Sequence, residues 1–106
     1  MAARTYKQVE DIVKKYYLLL KSEGYPIEKI ILFGSYAKNK QNIDSDIDLA
    51  VVLKEYLGDK FETRLKLMKC ARDFDAVIEP HPFLLSELNE ADPFLNEILE
   101  SGKNII

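Results

Sequence analysis

The residues best suited to chemistry are Asp46 and Asp48, in Ser45-Asp46-Ile47-Asp48-Leu49, and the Gly34-Ser35 step that precedes them by ten residues. If the stretch is a strand, alternation puts both carboxylates on one face, about 6.5 Å apart at the Cα level. Like charges at that spacing repel unless a cation lies between them. Oxygen-only ligands with open positions suit Mg²⁺ or Mn²⁺, ions that also hold substrate phosphates. The Gly34-Ser35 step ends the apolar run Ile30 to Phe33 and lets the backbone turn sharply. A helix starting at Tyr36 or Ala37 would then aim its free amides and dipole at an anion. Ser35 can add its hydroxyl and Lys38 a point charge, so one segment offers phosphate binding and the next offers metal binding.

Taken together, Gly34-Ser35-Tyr36-Ala37-Lys38, a ten-residue gap, and Ser45-Asp46-Ile47-Asp48-Leu49 between apolar runs resemble the nucleotidyltransferase superfamily that includes DNA polymerase beta, in particular its minimal nucleotidyltransferase members. The family often has Arg then Gly where this chain has Lys38 and Asn39. Asn tolerates the left-handed backbone of a Gly, whereas Lys lacks the bidentate fork of Arg. The resemblance implies an α+β fold in the order α-β-α-β-α-β-α, with helices packed on a small mixed sheet. It also implies Mg²⁺-dependent transfer of a nucleoside monophosphate, foremost AMP from ATP, to a hydroxyl of a macromolecular acceptor. In that scheme Asp46 and Asp48 hold two Mg²⁺ ions, with Mn²⁺ as a substitute, while Gly34, Ser35 and Lys38 position the phosphates. A third carboxylate comes from the strand after the next helix, where Asp75 in Phe74-Asp75-Ala76-Val77-Ile78 takes the position. Glu79, on the same face of that strand, competes for the role. Minimal members are often paired with a helical HEPN protein, as antitoxins that add AMP to the toxin. The alternative is a regulatory module of the same fold with weak turnover, and an intact carboxylate set argues against it.

The elements that position these residues follow from periodicity. Val9, Ile12, Val13, Tyr16, Leu19 and Leu20 recur at helical spacing from about Thr5 to Glu23, with Thr5 as N-cap and Gly24 past the end. Ile27 to Phe33 reads as the first strand and Asp46 to Leu53 as the second. A second long helix over Lys60 to Arg72 follows, with Phe61, Leu65 and Met68 as its inward face, Cys70 and Ala71 as candidate additions to it, and Leu67 flanking. Phe74 to Pro80 reads as a short third strand closed by proline, which leaves His81 in an extended segment just past the site, read first as a structural loop histidine and second as a general base or substrate contact. Asp92-Pro93 opens a last helix through Phe94, Leu95, Ile98 and Leu99. Lys103 to Ile106 is a tail whose two isoleucines can either dock as an edge strand or bind a partner.

Composition narrows the partners. The 106 residues suit one small domain, 1–106, and 47% hydrophobic with 31% charged residues is ordinary for a soluble globular chain. A net charge of −3 argues against a polymerase gripping long nucleic acid, which requires a basic face. Cys70 is the only cysteine, so no intrachain disulfide forms, and a lone thiol in a helix suits a reducing compartment. No run approaches the roughly 20 apolar residues of a membrane span, and the polar start is unlike a signal peptide. The expectation is a cytoplasmic protein.

Overall fold

A computed structural model describes residues 4–34, 36–37, 46–74, 77–89 and 92–106. Helix α1 (Tyr6–Ser22) is opened by a capping box, in which Thr5 Oγ1 accepts from the Gln8 amide and the Gln8 side chain accepts from the Thr5 amide. Strands β1 (Ile27–Phe33) and β2 (Ile47–Leu53) follow as the apolar runs require. After them come helix α2 (Lys60–Ala71), strand β3 (Ile78–Leu84), a 3-10 turn (Leu85–Asn89), helix α3 (Pro93–Ser101) and the short strand β4 (Lys103–Asn104). Tyr36 and Ala37 form a turn, and the rest of the short helix expected there lies outside the described residues. No helix is long and apolar enough to cross a membrane.

The sheet runs in the order β3-β2-β1-β4. β1 pairs antiparallel with β2 and β4, whereas β2 and β3 are parallel and joined through α2. This is a mixed sheet with helices packed on it, as expected. Alternation divides each strand between two apolar clusters. Ile30 and Leu32 of β1 and Ile47, Leu49, Val51 and Leu53 of β2 pack with Val9, Val13, Tyr16 and Leu20 of α1 and Leu67 of α2. Ile31 and Ala50 belong to a second cluster with Phe83 and with Leu95 and Ile98 of α3. Asp48, between Ile47 and Leu49, therefore points to the α3 side of the sheet. The Tyr16 hydroxyl, buried between α1 and α2, donates to the Leu67 carbonyl at 2.7 Å.

Two expectations need correction. The third strand is Ile78–Leu84, so it begins after Phe74 and runs through Pro80 and Pro82 rather than ending at the first proline. β3 lies at the sheet edge, where a residue without an N–H costs no ladder bond on the open side. Helix α2 turns Thr63, Leu67 and Ala71 inward, while Phe61, Leu65 and Met68 stay exposed. Thr63 satisfies its buried hydroxyl by donating to the Asp59 carbonyl at 2.8 Å and accepting from the Leu57 amide at 2.8 Å. That anchoring frees the larger side chains to face outward. Of the two readings of the tail, the structure shows the edge strand, with β4 on β1 and the Ile105 amide donating to the Ile30 carbonyl at 3.0 Å.

Candidate active site

The register of three strands sets the site. Asp48 of β2 pairs across with Phe33 of β1 on one side and Glu79 of β3 on the other. Gly34 follows Phe33 with φ +76, a conformation that brings its backbone against Asp48. A Cβ at that position would collide with Asp48 Oδ2. The glycine-serine bend and the Asp-x-Asp strand are thus in contact through Gly34 and Asp48.

On the other flank, alternation along β3 adds Glu79 and His81 to the same face. Ligand atoms of Asp48, Glu79 and His81 all lie within 4.8 Å of one another. Burial pushes the Asp48 carboxyl above its ordinary range; a hydrogen bond with Glu79 and, when protonated, the neighbouring His81 oppose this, and the Asp46 charge adds to it. Glu79 is raised as well, by burial and then by its hydrogen bond and repulsion with Asp46 and Asp48. His81 is lowered, first by burial and then by the Arg64 cation, with Asp48 pulling the other way and Lys60 reinforcing the fall. An uncharged imidazole beside carboxylates that resist ionisation is a donor set suited to a divalent cation, which would relieve the repulsion and accept the imidazole lone pair.

Of the residues singled out in the sequence, the structure brings together Gly34, Asp46 and Asp48. Ser35, Lys38 and Asp75 lie outside the described residues. Glu79, weighed against Asp75, is the carboxylate that the register sets beside the pair. His81 is a member of the cluster that sequence reasoning placed in a loop; the signal available was its position two residues beyond Glu79, on the same face of any continuing strand. Aromatic rings wall the cluster on the α3 side, with the Phe33 and His81 centroids 5.4 Å apart and Phe94 5.8 Å from Phe33.

Two cavities flank it. One of about 180 Å³ lies at the bend, between Phe33 and Gly34 and the α3 residues Phe94, Glu97, Ile98 and Ser101. A wider cleft of about 420 Å³ opens at the β3 edge, lined by Lys60, Phe61, Arg64, His81, Phe83 and Phe94 among others.

Residues 7–106 match the family model described as polymerase beta, nucleotidyltransferase. The chain belongs to this nucleotidyltransferase family. It is similar to proteins of Methanocaldococcus jannaschii assigned as protein adenylyltransferases, one 42% identical over 61% of this chain and 78% of its own length, another 34% identical over 89% and 94%. A solved toxin-antitoxin structure with AMP-PNP superposes with a TM-score of 0.64 at 28% identity, covering 92% of this chain and 72% of the matched chain. A Shewanella oneidensis complex of a tri-AMPylated HEPN toxin with its MNT antitoxin gives a TM-score of 0.59 at 25% identity, covering 96% and 72%. A Sulfolobus solfataricus protein assigned as a nucleotidyltransferase, 16% identical over 93% and 80% with a TM-score of 0.67, shares the fold. The nucleotidyltransferase reading of Gly34-Ser35 and Asp46-Ile47-Asp48 therefore agrees with the family match.

Proposed function

We propose that this nucleotidyltransferase moves AMP from ATP to a hydroxyl of a protein acceptor, and that it does so in the cytoplasm as the antitoxin of a HEPN/MNT pair. The observation that carries the proposal is the convergence of Asp48, Glu79 and His81 directly beside the Gly34 bend. Asp46, Asp48 and Glu79, with His81 as an imidazole donor, would hold divalent metal, Mg²⁺ or in its place Mn²⁺, in a two-ion arrangement. Such ions, when bound, neutralise the triphosphate and lower the pKa of the attacking hydroxyl. The Gly34 backbone, Ser35 and Lys38 would seat the β- and γ-phosphates.

In-line displacement fixes the remaining geometry. The acceptor oxygen bonds to the α-phosphorus as the bond to the bridging oxygen breaks, and pyrophosphate leaves on the opposite side. With the phosphates at the bend, the acceptor approaches from the β3 side, where Glu79 stands. A carboxylate standing on that side, paired in register with Asp48, is placed to take the hydroxyl proton. Asp75 remains the sequence-based candidate for the same task. The supporting likenesses are the protein adenylyltransferase assignments of relatives and the HEPN–MNT complex among the structural neighbours.

The test is transfer of label from α-³²P-ATP to a co-purified HEPN partner, with Glu79→Gln and Asp75→Asn compared side by side. Loss of transfer on Asp48→Asn is expected, together with a large drop for whichever carboxylate takes the proton. Full transfer by Asp48→Asn would overturn the proposal.

A further inference from the structure

The outward face of α2 is at odds with the rest of the molecule. Phe61, Leu65 and Met68 recur at helical spacing and are 69%, 50% and 42% exposed, an apolar stripe turned away from the sheet. The stripe is continuous with other apolar surface at both ends. Phe61 lines the cleft that reaches His81, and Met68 lines a hollow shared with Val77, itself 62% exposed, at the start of β3.

Charge singles out the same helix. Residues 60–72 carry Lys60, Arg64, Lys66, Lys69 and Arg72 against Glu62, a local excess of +4 on a chain whose net charge is −3. On the helical wheel Lys60 and Arg64 run along one side of the stripe and Lys69 along the other. Lys60 is held against the Phe83 ring, 4.7 Å from its centroid, and at 4.0 Å from Glu87. Among the described residues Arg64, Lys66, Lys69 and Arg72 have no carboxylate partner. The neighbouring strand edge does not invite pairing, because Pro80 and Pro82 have no N–H to offer. A partner on this side is therefore recognised through side chains rather than by adding a strand.

We propose that the exposed face of α2 docks the acceptor protein through a segment bearing carboxylates and apolar side chains, and that the cleft between Phe61 and Phe94 leads its hydroxyl to the carboxylate cluster. This rests on the reading of the chain as a nucleotidyltransferase with a protein acceptor, and it adds which surface selects the acceptor and by what chemistry. The apolar stripe supplies buried contact area, and the flanking cations supply selection for acidic sequence and faster encounter. The position of the cleft, across Asp48 from the bend, is where in-line attack requires the acceptor to enter.

The experiment uses the full chain and a fluorescein-labelled fifteen-residue peptide alternating Glu with Leu and Phe, read by anisotropy. Controls are the same peptide with Lys for every Glu, a twenty-nucleotide oligo(A) RNA, and sedimentation of the protein alone. The acidic peptide should bind, the basic one should not. The pairs Leu65→Ser with Met68→Ser and Arg64→Glu with Lys69→Glu should each weaken binding by about tenfold or more. All these side chains except Arg64 lie away from the site, and thermal unfolding checks that each variant is folded. Equal binding of both peptides, preference for the RNA, peptide affinity unchanged in both variants, or a dimer abolished by the Leu65 and Met68 changes would each overturn the assignment. ATP binding with Mg²⁺ is followed in parallel. Its absence alongside selective peptide binding counts against the catalytic proposal, and its presence without peptide binding counts against the docking face.

Discussion

The contact between Gly34 and Asp48 makes a quantitative prediction for Gly34→Ala. Two costs add there. A φ of +76 strains any L-residue by about 1–2 kcal/mol. In addition, the new Cβ meets the Asp48 carboxylate, with Cγ at 3.2 Å and Cβ at 3.3 Å. Rotation of Asp48 can move its oxygens but not its Cβ, so part of the crowding persists as overpacking worth about 1–3 kcal/mol. Gly24 is the internal control, since its φ is +85 and nothing lies within 4 Å of an added Cβ. Gly24→Ala should thus lose only the backbone term, about 1–2 kcal/mol, and Gly34→Ala about 2–5 kcal/mol. Urea denaturation of the metal-free protein gives both values. The excess should shrink when Asp48→Ala is added to Gly34→Ala, because the crowding atoms beyond Cβ are then gone. Equal losses at the two glycines, with no coupling to Asp48, would refute the packing of the bend against β2.

Other consequences are simpler to measure. Tyr16→Phe leaves the buried Leu67 carbonyl without its 2.7 Å donor and should cost about 1–3 kcal/mol by chemical denaturation. Tyr36→Phe should be neutral or raise the melting temperature, because the buried Tyr36 hydroxyl has no hydrogen-bond partner among the described residues. The raised pKa of Glu79 means that, without metal, the folded state holds a proton that the unfolded chain has already released. Its contribution to stability is therefore present at low pH and declines as pH rises from the unfolded value through the folded one. Glu79→Gln should gain on the wild type in melting temperature as pH rises above the ordinary glutamate value of 4.5, and added Mg²⁺ should reverse the order; a pH-independent difference would contradict the cluster.

The legible parts of this fold are those in which one periodicity has no rival. The capped, striped α1 and the two apolar strands flanking the motif could be read directly, and Asp46 and Asp48 with them. Helix α2 carries two candidate inward stripes, Phe61-Leu65-Met68 and Thr63-Leu67-Ala71. The larger side chains look like the core by hydrophobicity alone. What decides is Thr63, whose hydroxyl serves the turn before the helix, and the close packing that Leu67 and Ala71 permit; neither is visible without the tertiary partners. The sequence shortens strand β3 for a similar reason. Proline ends a central strand but not an edge strand, and the position of β3 in the sheet is a property of topology. The same proline conceals that His81 continues the strand, whereas Glu79 and Asp75 share a face by simple alternation. Residues 38–45, with Ser35 and Asp75, lie outside the described set, so the phosphate-binding roles rest on sequence and family.

Calorimetric titration of ATP into the protein, with and without Mg²⁺, tests the central claim most directly when wild type is compared with Asp48→Asn. ATP should bind the wild type in an Mg²⁺-dependent manner, and Asp48→Asn should abolish the dependence while remaining folded. Undiminished Mg²⁺-dependent binding by Asp48→Asn would contradict a cation held between β2 and β3 opposite the Gly34 bend.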